Sequence, residues 1–556
     1  MYIGNLKRVD LTSSNFAKIV KQGKLFVDKS LFIEHFLNEP QDVQIIARQR
    51  RLGKSLNLKM LSCFLTDRED CRPLFENLSI RKSPVWGMAH SAPTFLFDFK
   101  GLGVDEYKRQ IQNMANEYCS VYANDPKCPP YLKELYTEYS AAGKWTSDAI
   151  LILTKMAYAV TGKLSYILID EYDKLLIDIV GTDAYACVRD YLTKVLSSAM
   201  KGNDYLEKGL LTGVMRISHE GMLSGLNNPQ TYDVFSDKAY VKDYGLTKEE
   251  VEELCKATGL KQEDMAAWYN GVRISGYEFF NTFSVMSAVC NDSYSCYWGK
   301  SGTMDLVSSL SSALQKNALM GLLAPDSKLE VKIEERVSPA AFQTGCSDEA
   351  LYSLLIQAGY LSLDAWNQTT GIVRIPNKEL EEVWRKFIFT NFFPNAGSEL
   401  QGIFRILEPE RIASELELYL LASFDSLSFH NMPSHVYKDG KRRTYEVYYH
   451  NVVFGLLMGG RSDLKYDSLL SNRESGDGRY DIDMELRKIC IVFEFKSAAE
   501  DEDLMCMAVK AVDHIKEKRY GFSSEHPIIG IGISCYKKRC KVIGRWIEHS
   551  TVNRGL

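Results

Sequence analysis

The feature that most constrains the fold is a short apolar run followed by a charged loop and a Gly-Lys-Ser sequence that opens a helix. The stretch VQIIARQRRLGKSLNLKMLSCFL covers residues 43–65 and places Gly53, Lys54 and Ser55 at the predicted helix start. Free amides and the helix dipole favour an anion there, a lysine reaches phosphates, and a serine hydroxyl can ligate Mg²⁺. The stretch therefore favours a phosphate site on an α/β sheet, although Gly-Lys-Ser can also simply begin a helix.

This motif departs from the usual G-x-x-x-x-G-K-[ST] pattern at its first position, where Arg48 replaces glycine. We expect the Lys54 side chain to face solvent at the helix start rather than to enter the core. A second motif supports nucleotide binding, because the apolar run YILID ends at Asp170 and is followed by Glu171. Open α/β sheets bind ligands at the carboxyl ends of their strands, so Asp170 is predicted to hold Mg²⁺ and Glu171 to orient a water. Such an acidic pair alone is also a common loop start.

The order of apolar and amphipathic segments predicts three domains. Residues 1–255 alternate short apolar runs with helical stretches, which is typical of a parallel sheet covered on both faces. Residues 256–405 change to helical patterns and end in a strand–turn–strand–helix pattern, which favours a helical or winged-helix-like domain. Residues 406–556 begin with an amphipathic helix (410–423) and form a second α/β domain. The predicted fold class is therefore α/β.

The third domain contains two strand-like runs that mirror each other about Arg487 and Lys488. If these two residues form a hairpin tip, Asp481 lies opposite Glu494 on one face, while the other face is apolar. Alternation alone fits a solvated outer face equally well. Opposed like charges destabilise a strand pair, however, and a divalent cation between them removes the repulsion. The two carboxylates with Lys496 form a set suited to metal-assisted phosphodiester hydrolysis.

A further acid and a basic run precede this hairpin. Glu446 begins a helical pattern and is a candidate third acid of the site, although an acid in a first helical turn is often explained by the helix dipole alone. The basic run could contact a phosphate backbone, but such a run is more often a solvated loop. Its members are Lys438, Lys441, Arg442 and Arg443.

Several motifs together resemble AAA-ATPase-like proteins of P-loop, STAND-like type that carry a C-terminal PD-(D/E)XK nuclease-like domain. The resemblance covers nearly the whole chain. It rests on FVDKSLFIEHF (26–36), RQRRLGKS (48–55), LIDEYD (168–173), LTGVMRI (211–217), SGLNN (224–228), WYNGVR (268–273), PNKE (376–379) and SNRESGDGRYD (471–481).

The resemblance accounts for Arg48, because the family carries arginine at that position. It implies that Arg48, Thr212 and Arg216 belong with the nucleotide site. It further implies a D…E-x-K set of Asp481, Glu494 and Lys496, with Glu446 as the helix acid. One position departs from the family pattern: His514 stands where such domains often carry glutamine.

Composition limits the location and the partners. The 67 basic and 72 acidic residues nearly cancel, so nucleic-acid binding must come from a local patch. Thirteen cysteines without a C-x-x-C pair, and an N-terminus without a signal-length apolar stretch, predict an intracellular location in the cytoplasm, with the nucleus left open. No window reaches ~18 apolar residues, which predicts that the chain does not span a membrane.

Two functional hypotheses follow. The first is an ATP-dependent or ATP-gated nuclease that uses ATP and Mg²⁺ or Mn²⁺ and acts on DNA or RNA. The second is a nucleotide-driven switch or assembly protein that grips nucleic acid or a partner without cleaving it. A nucleotide-dependent homo-oligomer is compatible with both hypotheses. Presence of the acid–acid–lysine set favours the first.

Overall fold

The computed structural model describes a large part of the chain as two compact units. The described residues are 2–141, 144, 146–216, 229–298, 319, 322–323, 327–335, 337, 347–392, 396–425, 434–436, 441–444, 446–471, 474–475, 478–479, 481–521 and 526–547. One unit comprises Met1–Thr303 and Glu330–Leu380, and the other comprises Met304–Leu329 and Glu381–Leu556. The division into three domains stays a prediction. The SGLNN motif and Lys438 lie outside the described residues.

The first unit is built around a parallel sheet. Its strands and helices as far as residue 232 are β1 (Tyr2–Ile3), α1 (Phe16–Lys21), β2 (Phe26–Val27), α2 (Leu31–Asn38), β3 (Val43–Ala47), α3 (Lys54–Leu65), β4 (Thr94–Asp98), α4 (Tyr107–Ala123), α5 (Pro130–Ser140), α6 (Ala149–Thr161), β5 (Ser165–Asp170), α7 (Lys174–Asp178), α8 (Ala184–Met200), β6 (Leu206–Gly213) and β7 (Gln230–Tyr232). Five of these strands form one sheet in the order β4-β5-β6-β3-β7, and every neighbouring pair is parallel.

Both faces of this sheet are buried, because successive side chains of each strand enter different cores. Ile45 and Ile167 belong to one apolar cluster, which also contains residues of α4, α6 and α8. Their neighbours Ile46 and Leu168 belong to a second cluster, which contains residues of α2 and α3. The prediction of an α/β domain with a doubly covered parallel sheet is confirmed.

The remainder of the first unit is mainly helical with short antiparallel strands. Its elements are α9 (Lys248–Thr258), α10 (Gln262–Tyr269), β8 (Val272–Ile274), β9 (Tyr277–Phe279), α11 (Thr282–Asn291), β10 (Leu329–Lys332), α12 (Asp348–Ala358), β11 (Ser362–Trp366) and β12 (Thr370–Arg374). The strands β10, β12 and β11 pair in that order. Because α13 (Lys378–Phe392) follows β12, the predicted strand–turn–strand–helix pattern is confirmed.

The second unit contains a mixed sheet. After α13, its elements are α14 (Ala396–Ile403), α15 (Pro409–Asp425), β13 (Ser434–Val436), β14 (Arg442–Thr444), α16 (Glu446–Gly459), α17 (Arg461–Leu464), β15 (Ser468–Ser471), β16 (Glu474–Ser475), β17 (Gly478–Arg479), β18 (Ile482–Leu486), β19 (Ile489–Ser497), α18 (Leu504–Glu517), β20 (Ile528–Tyr536) and β21 (Arg539–Ile547). Five strands form the sheet in the order β15-β18-β19-β20-β21. The strands β19 and β20 pair in parallel, whereas the other neighbouring strands of the sheet pair antiparallel.

The predicted hairpin is present with the expected register. Leu486 pairs with Ile489 and Ile482 pairs with Phe493, which leaves Arg487 and Lys488 as a two-residue tip. Both tip residues adopt a left-handed backbone, with φ values of 53° and 62°. Two such residues are what a tight turn between twisted antiparallel strands requires.

The face of β19 that carries Glu494 is not a solvated outer face, so that alternative is wrong. Val492 on this face is fully buried and belongs to an apolar cluster with Val512 of α18. Gly532 of β20 allows α18 to approach closely, because a Cβ at this position would lie 2.3 Å from the carbonyl oxygen of Ala508. The helix therefore covers the strand end where the two acids lie.

Candidate functional sites

The phosphate-loop motif lines a cavity of about 460 Å³ in the first unit. The strand β3 ends at Ala47 and α3 begins at Lys54, so the loop between them lies at the carboxyl end of a central strand. Gly53 precedes the helix with a left-handed φ of 91°, and a Cβ there would meet no atom within 4 Å. Gly53, Lys54 and Ser55 all line the cavity. The helix N-terminus thus offers its amides to an anion.

Lys54 is buried rather than solvent-facing, which corrects the expectation from the sequence. The residue is only 8% exposed, and its Nζ atom donates to the carbonyl oxygens of Arg48 and Gln49 at 2.8 Å each. Burial lowers the pKa of Lys54 to about 8, against the opposing effect of Asp170 and other nearby acids. The loop curls around the ammonium group, and these carbonyl oxygens hold it in place.

Arg48 supports the loop from inside the protein and is absent from the described residues that line the cavity. The guanidinium is fully buried, forms an ion pair with Asp237 and donates to the carbonyl oxygen of Tyr232 at 3.0 Å. Burial lowers its pKa to about 10. The side chain anchors the loop to β7 and the segment that follows, and its place in the nucleotide site, which the resemblance implies, stays a prediction.

The two acids after β5 occupy different environments. Asp170 is buried, and its Oδ1 accepts hydrogen bonds from the Thr212 hydroxyl at 2.6 Å and from the Glu171 amide at 3.1 Å. Glu171 lines the cavity with a left-handed φ of 52°. Burial raises the pKa of Glu171, while the charge of Lys100 opposes that shift. Thr212 thus orients Asp170, and of these two acids Glu171 is the one that lines the cavity.

Arg216 does not line this cavity in the described part of the chain. Its Nη1 donates to Asp233 at 2.7 Å and to Glu335. Its backbone amide donates to Oε1 of Gln357 in α12 at 2.7 Å. The residue therefore connects the end of the parallel sheet to the helical part of the same unit, and its proposed contact with a nucleotide stays a prediction.

Asp173 is a cavity residue that the sequence analysis did not select. It is buried and lines the cavity. Its Oδ2 accepts hydrogen bonds from the amides of Val214 and Met215 at 2.8 and 2.7 Å. It therefore fixes the turn after β6. Gly213 at this turn allows the close approach, because a Cβ at this position would lie 2.7 Å from Oδ1 of Asp173. The last letter of the LIDEYD motif is the available sequence signal.

The predicted acids of the nuclease-like set converge at one end of the mixed sheet. Continuing the hairpin register by one residue beyond Ile482 places Asp481 opposite Glu494. Oδ2 of Asp481 accepts a hydrogen bond from the Phe495 amide at 2.8 Å. Glu494 is only 4% exposed. Its Oε1 accepts from Lys496 Nζ at 3.2 Å.

Burial raises the pKa values of these two acids. Burial, together with the charge of Glu494, raises the pKa of Asp481 to about 7. Burial likewise raises the pKa of Glu494 to about 7, although the charge of Lys496 opposes the shift. Two carboxyl groups in such an environment do not readily ionise together without a cation. Strongly shifted carboxyl groups of this kind are enriched at functional sites.

Glu446 and Lys496 complete the cluster. Glu446 begins α16, and its Oε1 accepts a hydrogen bond from the Ser497 amide at 3.2 Å. Although burial works against it, the charges of Glu446 and Glu494 raise the pKa of Lys496, which keeps its ammonium group charged. In the preceding basic run, Lys441 forms an ion pair with Asp501 at 2.7 Å. The contact of that run with a phosphate backbone stays a prediction.

His514, the residue that departs from the family pattern, lies beside the acid pair. Its Nδ1 is 2.7 Å from Oε1 of Glu494. Burial and the charge of Lys496 lower the pKa of His514, so the imidazole is neutral near pH 7. A neutral imidazole with its proton on Nδ1 donates to the carboxylate and holds its orientation.

The donor set fits a hard divalent cation. Carboxylate oxygens are the ligands that Mg²⁺ and Mn²⁺ prefer, and Oε2 of Glu494 is buried without a hydrogen-bond partner among the described residues. Those residues contain no group of three or more His, Cys, Asp and Glu side chains arranged to hold a metal. Asp481 and Glu494 therefore stay predicted metal ligands, and a two-carboxylate set is compatible with Mg²⁺ sites, which commonly combine one or two carboxylates with water and substrate phosphates.

The shifted acidity predicts how the stability of the metal-free protein depends on pH. Folded Asp481 and Glu494 have raised pKa values, so the folded state binds more protons than the unfolded state between about pH 4 and pH 7. Stability should therefore fall as pH rises through this window. Asp481→Asn should become more stable than wild type toward pH 8 by about 1 kcal/mol, because one of two opposed charges is gone. Thermal midpoints in chelator at pH 5 and pH 8 measure this, and a pH-independent difference would contradict it.

Comparisons with known proteins match two segments of the chain to domain families. Residues 11–223 match the AAA-ATPase-like family model, described as predicted AAA-ATPase, and residues 444–545 match the PD-(D/E)XK nuclease superfamily. The chain therefore combines an AAA-ATPase-like domain with a domain of the PD-(D/E)XK nuclease superfamily, which confirms the recognised resemblance. A protein of Azotobacter chroococcum mcd 1, named "Uncharacterized protein in vnfD 5'region", is 24% identical over 562 residues, which cover 98% of this chain and 99% of that protein.

A helix that spans a bilayer needs about 20 predominantly apolar residues, and the described helices do not meet this requirement. None of them combines the necessary length with sufficient apolar character.

Proposed function

We propose that this protein is a nucleotide-regulated, metal-dependent nuclease. The observation that carries the proposal is the convergence of Asp481, Glu494 and Lys496 at one end of a buried sheet, with Glu446 beside them. An acid pair with raised pKa values and an adjacent charged lysine suits phosphodiester hydrolysis. The proposed substrate is DNA or RNA.

In the proposed reaction, Asp481 and Glu494 hold Mg²⁺ or Mn²⁺. The bound ion would supply an activated water and neutralise charge on the scissile phosphate. Lys496 keeps its proton and stabilises the negative charge that develops on the phosphate oxygens. Glu446 maintains the charge of Lys496 and fixes the backbone at Ser497. His514 orients Glu494 through Oε1, which leaves Oε2 for the metal.

The nucleotide site would bind ATP together with Mg²⁺. ATP would supply the transferable phosphate, and Mg²⁺ would offset the negative charge of that phosphate. Lys54 exchanges its two loop carbonyl partners for phosphate oxygens. Ser55 and Asp170 are the proposed Mg²⁺ ligands, and Glu171 orients a water. Nucleotide state would then control access to the nuclease site, and nucleotide-dependent self-association is one way to achieve this.

The proposed setting is the cytoplasm. The cysteines described in the structure are free thiols, which supports a reducing compartment.

A second candidate function is a nucleotide-driven switch that grips nucleic acid without cutting it. The observation in its favour is that, in the described residues, the site presents fewer than three acidic or imidazole ligands arranged for a metal. Such a protein would keep the basic and acidic residues for binding and would show no turnover.

A cleavage assay distinguishes these functions. The full chain is incubated with single- and double-stranded DNA and RNA, with Mg²⁺ or Mn²⁺, and with or without ATP. Under the proposal, cleavage requires the metal, changes with ATP and disappears in Asp481→Asn. Binding without cleavage under every condition would instead establish the switch.

Asp170→Ala and Glu171→Gln should differ in kind. Because Asp170 is buried and hydrogen-bonded to Thr212, its loss should weaken Mg²⁺–nucleotide binding. Glu171 has access to the cavity, so its amide variant should retain binding and lose hydrolysis. Equilibrium binding and phosphate-release rates measure the two effects. An equal loss of binding in both variants would contradict the assigned roles.

A further inference from the structure

A second cavity, of about 710 Å³, lies in the first unit. Its walls come from α2, from the segment after β7 that includes residues 234–239, from residues 273 and 275–277 of the β8–β9 hairpin, and from residues 363–366 of β11. It shares no lining residue with the nucleotide cavity among the described residues. A volume of this size is in the range of small-ligand sites.

Aromatic side chains form part of this second cavity. The rings of Phe235 and Trp366 lie 5.1 Å apart at an interplanar angle of 46°. Tyr277 lies on the turn at the cavity and is 58% exposed. Exposed aromatic rings beside a pocket are typical stacking platforms for nucleic-acid bases.

The charges that remain available at this cavity are positive. Lys238 and Lys242 are exposed and line it, and neither has an ion-pair partner within the described ranges. Its two acids are already engaged: Asp237 pairs with Arg48, and Asp364 pairs with Arg374 at 2.9 Å. The cavity therefore complements an anionic ligand.

Two residues of the cavity wall each carry a buried polar atom. Trp366 Nε1 and Ser275 Oγ are buried without a hydrogen-bond partner among the described residues.

Two contacts connect the second cavity to the nucleotide cavity. Asp237 of the second cavity holds Arg48, whose carbonyl oxygen accepts from Lys54. His35 of the second cavity is 2.7 Å from Asp243, and Asp243 lines the nucleotide cavity. In both cases a residue that lines the second cavity contacts a residue that lines the nucleotide cavity or holds its loop.

We propose that the second cavity binds a nucleotide unit, with the base stacked on Tyr277 and Trp366 and the phosphate held by Lys238 and Lys242. The unit can be a free mononucleotide or part of a single strand, since the recognised chemistry is the same. The site goes beyond the proposed function, and binding at it does not depend on cleavage at Asp481.

The test measures binding of fluorescein-labelled six-nucleotide DNA and RNA strands to the full chain in chelator, which prevents cleavage. All variants carry Lys54→Ala so that the first cavity contributes little. Lys238→Ala/Lys242→Ala and, separately, Tyr277→Ala should each weaken binding about tenfold, the loss of one or two stacking or phosphate contacts. All three positions are exposed, so the variants should fold. Lys201→Ala, at an exposed lysine outside the cavity, is the matched control.

Uridine monophosphate as a competitor distinguishes the two sources. Full displacement of the strand assigns the site to a free nucleotide, whereas no displacement at millimolar concentration assigns it to a strand. Both results support a nucleotide site, provided that the cavity variants bind more weakly than the control. Equal affinities of the control and the cavity variants would overturn the proposal. A chain that binds normally here but never cleaves would refute the nuclease and leave this site intact.

Discussion

Asp481→Asn is expected to abolish metal-dependent cleavage, with a loss of about 10³-fold or more, since it removes one of the two carboxylates that are proposed to hold the metal. Glu494→Gln should have a similar effect, because its Oε2 is the buried oxygen without a partner among the described residues. The measurement is the initial cleavage rate of the full chain in Mn²⁺. Thermal unfolding provides an independent readout, because a bound ion stabilises the folded state by mass action.

The matched control for this prediction is Asp483→Asn. Asp483 lies in β18, two residues after Asp481, and its Oδ2 accepts from Cys490 Sγ at 3.5 Å. Millimolar Mn²⁺ should raise the unfolding midpoint of wild type and of the control by more than that of Asp481→Asn. Any divalent ion that the AAA-ATPase-like domain holds would contribute equally to all three proteins. Equal Mn²⁺ shifts in all three would mean that the acid pair holds no metal.

Lys54→Ala is expected to weaken nucleotide binding about 100-fold, which corresponds to the loss of strong charge-assisted hydrogen bonds. The buried ammonium has a pKa of about 8 in the free protein. Nucleotide affinity of the wild type should therefore decrease as pH rises from 7 to 9, since phosphate binding then requires uptake of a proton. The variant should lose this part of the pH dependence. Dissociation constants of ATP from titrations at pH 7, 8 and 9 measure both effects.

Burial also changes what Lys54→Ala does to the fold. The side chain fills the loop and satisfies two carbonyl oxygens, so some destabilisation of the phosphate loop accompanies its loss. Lys54→Met keeps the volume without the charge and separates the two effects. Lys163→Ala, at an exposed lysine after α6, is the control. An ATP dissociation constant that is the same in Lys54→Met, Lys54→Ala and the control would refute the phosphate site.

Local patterns predicted the elements and the strand register well. The period of two in the hairpin and the position of its tip determine which residues face each other, so the pairing of Ile482 with Phe493 follows from adjacent sequence alone. The strands β3 and β5 are continuous apolar runs, which is typical of buried parallel strands. In each case the deciding information lies within about ten residues.

Packing partners that are distant in the sequence determine the side-chain orientations and the covering of the sheet that local patterns did not predict. Arg48 faces the interior because Asp237 pairs with it, and no local pattern links these two positions. The acid face of β19 is covered because Gly532 admits α18. The same helix brings His514 to Glu494, a contact between segments whose relative placement only the folded sheet determines. Long-range contacts of this kind lack a periodic signal.

The two-residue tip of the hairpin has a consequence for how this site can evolve. Arg487 and Lys488 both hold a left-handed backbone, which is energetically unfavourable for residues with side chains. Glycine would be tolerated at either position. An insertion of one residue would not, since it would slip the register and turn Asp481 away from Glu494. The number of residues in the tip, rather than their chemical identity, thus determines whether the two acids lie opposite each other.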